Sequence, residues 1–169
     1  MAESSQNVRE QLAALLPRLR RFGRTLAHKR EDADDLVQAA LEKVLTRTDQ
    51  WESGTRLDSW MFRIMQNTWI DETRARERRG QTFVAEEEGE NVGVSTTDAQ
   101  IDAIAVRKAV AQLNDDQRAV VGLVLVDGLP YKEAADVLGV PIGTLTSRLA
   151  RARETLQALL DGPPTGARA

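Results

Sequence analysis

The sequence contains no cysteine and only one histidine, His28, among its 169 residues. Disulfide bridges, thiolate zinc sites and cysteine nucleophiles are therefore excluded, and one histidine gives no basis for a metal site. Aromatic residues make up only 4% of the chain. Ala, Leu, Arg, Glu and Gln dominate instead, and these residues favour helices over strands. We predict an all-α protein that carries no metal and no cofactor.

Long apolar segments are also lacking. The first residues bring charges before any apolar signal core forms, and no run of 18 or more apolar residues occurs anywhere in the chain. These absences predict a cytoplasmic protein with no membrane insertion.

Charge is distributed unevenly along the chain, whose net charge is -3. Residues 81–104 hold six acidic residues and no Lys or Arg, whereas 1–80 hold 15 basic against 13 acidic residues. The acidic segment is rich in Gly, Ser and Thr and has no helical apolar period, which is typical of a linker. We predict two small helical domains, 1–80 and 101–160, joined by a flexible acidic linker over 81–100 and followed by a disordered tail at 161–169.

Apolar residues recur at helical spacing in three stretches of the first domain. Pro17 is expected to bend or restart the first helix. The second helix, 32–47, opens with carboxylates, and its core-facing residues are Leu36, Val37, Ala40, Leu41, Val44 and Leu45. A third helix is predicted from about Asp58 to about Arg79, with a basic end.

The second domain is predicted to hold four helices. The first covers about 101–113 and has Ile101 and Ile104 on its apolar face; in the next, Asn114 and Gln117 form a capping box and Leu125 faces the core. A short helix then starts at Pro130 and stops at Gly139, and a long one opens at Pro141. This is the helix-turn-helix pattern, in which the last helix enters the DNA major groove.

Three segments together resemble the extracytoplasmic function (ECF) sigma factors of bacteria. They are "DADDLVQAALEKVL" (32–45), "LDSWMFRIMQNTWIDETRARERR" (57–79) and "LNDDQRAVVGLVLVDGLPYKEAADVLGVPIGTLTSRLARARETL" (113–156). The resemblance implies a non-catalytic subunit that binds core RNA polymerase and directs it to promoter DNA. Within the family, "LPRLRRFGRTLA" and "DDLVQAALEKVL" are similar to the alphaproteobacterial general stress response members, which implies an anti-sigma protein as a further partner.

The resemblance also assigns roles to individual residues. The RNA polymerase contact would be made by Asp35, Leu36, Gln38 and Glu42. The -10 element would meet the loop from Trp51 to Ser59 and then Trp60, Arg63, Ile64, Asn67, Asp71, Arg74 and Arg78. The -35 element would meet Thr144, Thr146, Ser147, Arg148, Ala150 and Arg151. Two positions depart from the family pattern: Thr146 replaces a common Lys or Arg, and Pro130 replaces a usual Ser.

Three other functions stay open from the residues alone. The chain could be an autonomous helix-turn-helix regulator, although that leaves the helices at 32–47 and 58–79 without a purpose. It could be a sigma-like decoy that binds an anti-sigma protein and no DNA, although Arg148 and Arg151 speak against this. An enzyme has the least support, because the adjacent Asp34 and Asp35 point to different helix faces.

Overall fold

The computed structural model describes residues 2–51, 55–80 and 97–162, without the side chains of residues 2–5. Over these ranges the helices are α1 (Ala2–Leu26), α2 (Arg30–Thr46), α3 (Leu57–Arg78), α4 (Asp98–Ala111), α5 (Asp115–Val120), α6 (Tyr131–Leu138) and α7 (Ile142–Asp161). A 3-10 turn covers Thr48–Gln50, and a π-helical segment covers Val121–Val126. The described ranges contain no strand, and the all-α prediction is confirmed.

Helices α1, α2 and α3 pack against one another and form the N-terminal half. Their apolar stripes meet in a core that buries Leu36 and Trp69, with Phe22 and Phe62 edge to face at 5.2 Å between ring centroids. The prediction that Pro17 restarts the first helix is wrong, because α1 runs through it. Pro17 is exposed, and the buried Leu12 and Leu19 on either side anchor α1 to the core, which offsets the lost backbone hydrogen bond.

Helices α4 to α7 form the C-terminal half, and side-chain caps set two of their starts. The Asn114 side chain accepts from the Gln117 N–H at 2.9 Å, which confirms the predicted capping box. A second capping box, Thr97 with Gln100, starts α4 at Asp98, three residues earlier than predicted. The predicted linker therefore ends in helix, and its part at 81–96 lies outside the described residues.

Several apolar residues predicted for the core are exposed. Leu125 faces solvent because the π-helical segment has more residues per turn than an α-helix and rotates the side chains that follow. Ile101 and Ile104 are exposed because α4, which contacts α7 and α1, buries side chains only in its last turn, at Ala109 and in part at Val110. Leu45 on α2 is exposed as well.

The two halves pack against each other through a continuous apolar cluster. In this contact α1 lies against α5 and the π-helical segment, and α3 lies against α6. Gly122 allows the closest approach: a Cβ at this position would lie 2.8 Å from Cδ2 of Phe22. The sequence left the arrangement of the halves open, and the structure shows them closed together.

Candidate nucleic-acid and polymerase interfaces

Helices α6 and α7 form a helix-turn-helix around Gly139. This glycine adopts a left-handed conformation, with φ of 65°, and the Val140 N–H donates to the Ala135 carbonyl at 3.1 Å. Helix α7 then begins after Pro141, which serves as its N-cap rather than its first helical residue. Leu145 and Leu149 are buried on the inner side of α7, so its opposite face is directed outward.

The six residues predicted to read the -35 element lie in the first half of α7. Thr146, Ser147, Ala150 and Arg151 are exposed, and Thr144 and Arg148 are half-buried. Arg148 leans toward α5, where its Nη2 lies 3.6 Å from Oδ2 of Asp116. Arg151 is thus the cation of this set that projects most directly outward.

The two hydroxyl groups at the centre of this face bond to the helix itself. Thr146 Oγ1 donates to the Ile142 carbonyl at 2.8 Å, and Ser147 Oγ donates to the Gly143 carbonyl at 3.0 Å. While their hydrogens are engaged in these bonds, the oxygens remain able to accept a bond from a donor group of a base.

Of the residues predicted to meet the -10 element, those from Trp60 onward follow one face of α3 at intervals of three and four residues, and residues 52–54 of the predicted loop lie outside the described residues. Trp60 and Ile64 are half-buried and pack against the apolar cluster, whereas Arg63 and Asn67 are exposed. The last members of the set are also exposed; they are Asp71, Arg74 and Arg78. Trp60 therefore supports the core with part of its ring and presents the rest outward.

Helix α6 covers the beginning of this face. Arg63 Nη2 donates to the Asp136 backbone carbonyl at 2.7 Å, and Arg56 forms an ion pair with Glu133. Trp60 and Arg63 line the resulting cleft together with Glu133, Asp136 and Val137. The C-terminal half thus covers the first part of the predicted -10 face.

Asp58 anchors the start of α3 under this cleft. Burial raises the pKa of its carboxyl, but hydrogen bonds from Arg56 and Arg18 and from the Ser59 N–H outweigh burial and lower the pKa to about 2. The carboxylate is therefore charged at neutral pH and fixes both arginines.

The far end of α3 is held by α2. Arg76 Nη2 lies 2.9 Å from Oδ1 of Asp32, and this bond is the chief cause of the raised pKa of the Arg76 guanidinium. Lys43 Nζ donates to Thr68 Oγ1 at 2.9 Å. These bonds on the inner side keep α3 in place while its outer face stays accessible.

The polymerase-docking residues predicted on α2 divide into two groups. Asp35, Gln38 and Glu42 are exposed on one face, but Leu36 is 0% exposed and lies in the core. Leu36 therefore lies beneath the predicted docking face and does not reach the surface. Leu45, which sequence reasoning placed in the core, is 47% exposed and continues the predicted docking face. Leu45 lies three residues after Glu42, and side chains at this spacing share a helix face, so the spacing could have predicted its exposed position.

A groove between α1 and α2 adjoins this face. Its walls hold one carboxylate, Asp34, and Gln38 beside a larger number of apolar and basic side chains: Leu16, Val37, Leu41, Arg20, Arg24 and Arg30. The combination suits an amphipathic helix that carries acidic residues.

Two further features concern the described ranges alone. They contain no cluster of three or more His, Cys, Asp or Glu side chains arranged to hold a metal ion. None of their helices combines the length and apolar character needed to cross a membrane.

Comparisons with known proteins agree with this geometry. Residues 12–66 match the family described as the Sigma2 domain of PhyR, and residues 103–156 match Sigma-70, region 4. The chain is 32% identical to the ECF RNA polymerase sigma factor EcfG of Rhodopseudomonas palustris over 160 residues, which cover 92% of this chain and 86% of EcfG. It is 34% identical over 149 residues to the ECF sigma factor SigM of Mycobacterium tuberculosis, covering 88% of this chain and 74% of SigM.

A solved structure shares the fold across nearly the whole chain. The sigma factor RpoE of Bartonella quintana, solved in complex with the anti-sigma factor NepR, superposes with a TM-score of 0.80 at 34% identity, covering 92% of this chain and 98% of RpoE. The helix-turn-helix prediction is confirmed by the region 4 match, and the resemblance seen in the three sequence segments is confirmed as well. The chain belongs to the ECF family of RNA polymerase sigma factors.

Proposed function

We propose that this sigma factor binds core RNA polymerase through α2 and places it on promoters by contacting the -10 element with α3 and the -35 element with α7. The observation that carries the proposal is the presence of two outward faces on separate halves. The face of α7 lies within the region 4 match, and the face of α3 begins within the Sigma2 match, which ends at residue 66. The chain acts as a transcription initiation factor and performs no catalysis.

The -35 contact follows from the chemistry of α7. Arg151 is exposed and can bond a guanine edge or a phosphate. The positive end of the helix dipole lies at Ile142, so the start of α7 attracts the DNA backbone.

The -10 contact requires the two halves to separate. Arg63 and Trp60 line the cleft against α6 in the closed chain, and Arg63 is bonded to α6, so α6 restricts the approach of a promoter strand to them. The two promoter elements also lie about one and a half DNA turns apart, about 50 Å at roughly 34–36 Å per turn. A compact chain of 169 residues has a radius of gyration of about 15 Å by chain-length scaling. Two DNA-contacting faces on one such compact body therefore lie closer together than the two promoter elements.

Docking to polymerase is assigned to the exposed face of α2. Asp35, Gln38 and Glu42 supply polar contacts, and Leu45 supplies an apolar one at the end of the face. The neighbouring basic groove widens this surface toward α1.

An anti-sigma protein is proposed as the negative regulator, as in the general stress response members that the sequence resembles. RpoE of Bartonella quintana, which is similar over nearly its whole length, was solved in complex with the anti-sigma factor NepR. Ile101 and Ile104 offer exposed apolar contacts on α4. Because core polymerase and promoter DNA are its partners, we place the chain in the cytoplasm.

The test is transcription in vitro with purified core polymerase. The wild-type chain should produce transcripts from a subset of a genomic promoter library, and Arg151→Ala should reduce them about tenfold. Arg107→Ala, which removes an exposed arginine on α4 away from α7, is the matched control and should have little effect. Specific DNA binding without polymerase would favour an autonomous regulator, and binding of an anti-sigma protein without any transcript would favour a decoy.

A further inference from the structure

The outward face of α7, which is predicted to meet the -35 element, contains a strip of apolar side chains beside a strip of polar ones. Ile142, Thr146 and Ala150 follow one another at intervals of four residues, and all three are exposed. Ser147 and Arg151 form a parallel row one position further along. Residues four apart lie above one another on a helix, so the two rows form adjacent ridges of a single surface.

Ile142 is the unusual member of this strip. It is the first residue of α7, and its side chain is 53% exposed. The buried residues that hold α7 in place are Leu145, Leu149 and Ala152, on the opposite face. The fold therefore gains little from an isoleucine at this position, whereas residues at the start of a recognition helix reach base edges.

Thr146 contributes an apolar group to the same strip. Its hydroxyl donates to the Ile142 carbonyl at 2.8 Å, so the oxygen is held against the preceding turn of the helix. This leaves the methyl group as the part of Thr146 that extends the strip between Ile142 and Ala150.

We propose that this strip reads thymine through its C5-methyl group, and that Ile142 and Thr146 are specificity-determining residues for the -35 element. In the major groove only an A·T or T·A pair presents a methyl group, and apolar side chains recognise it by contact. Arg151, one row away, is left to bond guanine or phosphate. The inference rests on the proposed function, because it requires α7 to enter the groove of promoter DNA.

The test begins with the -35 duplexes selected by core polymerase carrying this chain from a randomised promoter library. Each thymine of the selected element is then replaced by deoxyuridine, which lacks only the methyl group. We expect at least one replacement to weaken promoter binding about fourfold, the effect of losing one buried methyl group. Ile142→Ala should bind the thymine promoter more weakly and should no longer distinguish deoxyuridine at that position.

A second pair of variants separates the methyl group of Thr146 from its hydroxyl. Thr146→Val keeps the methyl and should retain both binding and thymine preference, whereas Thr146→Ser keeps the hydroxyl and should lose them. Leu160→Ala removes another exposed apolar side chain, at the far end of α7, and should change nothing.

Three results would overturn the inference while leaving the proposed function intact: a transcribed promoter without thymine in either strand of its -35 element, wild-type binding that is indifferent to deoxyuridine, or the reverse order of the two Thr146 variants. Failure to select any promoter would instead overturn the proposed function together with the inference.

Discussion

Arg18 joins the two halves of the chain through Asp127. Its Nε donates to Oδ1 of Asp127 at 2.9 Å, and its Nη2 donates to Oδ2 at 2.6 Å and also to Oδ2 of Asp58 at 3.0 Å. The Asp127 side chain is only 4% exposed, and the guanidinium lies over the Phe62 ring. The bond to Asp127 is the chief cause of the raised pKa of Arg18. One cation thus connects α1, α3 and the residue that follows the π-helical segment.

Asp127→Asn should therefore loosen the contact between the halves. Replacing the buried carboxylate weakens two charge-assisted hydrogen bonds, and we expect a loss of about 2 kcal/mol from the closed arrangement. Because the chain has no cysteine of its own, dyes can be attached to cysteines introduced at the exposed Glu42 and Arg153. Energy transfer between them should fall in the variant, and unchanged transfer would show that Arg18 does not hold the halves together. Asp161→Asn, at an exposed site, is the control.

Gly122→Ala should disturb the same contact sterically. The new Cβ would lie 2.8 and 3.0 Å from two carbons of the Phe22 ring and 3.2 Å from Cγ2 of Thr25. We expect the free energy of unfolding to fall by about 1–3 kcal/mol, measured by urea denaturation. Gly143→Ala is the matched control, because its Cβ would meet open space, and it should leave stability equal or slightly higher.

Stability should also depend on pH through His28. Burial lowers the pKa of this imidazole, and the neighbouring Arg118 lowers it further against an opposing effect of Asp115. The unfolded chain therefore binds a proton more readily than the folded one. The stabilisation is complete above about pH 6.5, the ordinary value, and is lost progressively as the pH falls below it.

His28→Gln should remove this part of the pH dependence. Urea denaturation between pH 7 and pH 5 should show a decline in the wild type and a smaller one in the variant. Since His28 is the only histidine, no other imidazole contributes to the difference. Equal slopes in the two proteins would contradict the assignment.

Leu45 and Leu36 should respond differently to substitution. Leu45→Asp alters an exposed position on the proposed docking face and should weaken core polymerase binding about tenfold at unchanged stability. Leu36→Ala removes a wholly buried side chain and should lower the free energy of unfolding by about 2–5 kcal/mol. Gln112→Asp, exposed on the other half, is the charge control for Leu45→Asp in a pull-down. Undiminished capture of polymerase by the Leu45 variant would exclude that contact.

The sequence predicted the features that depend on local periodicity and capping. The starts of α5 and α7 follow from Asn114 and Pro141, and the turn between α6 and α7 follows from Gly139. The outward position of Leu125 was missed, because a π-helical segment has no clear signal in its residues.

The closed arrangement of the halves was beyond sequence reasoning for a different reason. Arg18 and Asp127 lie 109 residues apart, and neither has a neighbour in the sequence that points to the other. Ile142 was missed at the site because an aliphatic residue at a helix start suggests core packing, and only its exposure reveals otherwise.

The bond between Arg63 and Asp136 uses a backbone carbonyl, which every amino acid supplies. No substitution of the Asp136 side chain can remove the acceptor, so a genetic screen for constantly open variants should pass over this position. Substitution of Arg63 would remove this bond to α6, while the Arg56–Glu133 ion pair and the apolar cluster would remain, and it would also discard a proposed promoter contact. On this proposal a single arginine serves both the closed chain and the promoter-bound one, so a mutation that releases this bond also costs a promoter contact.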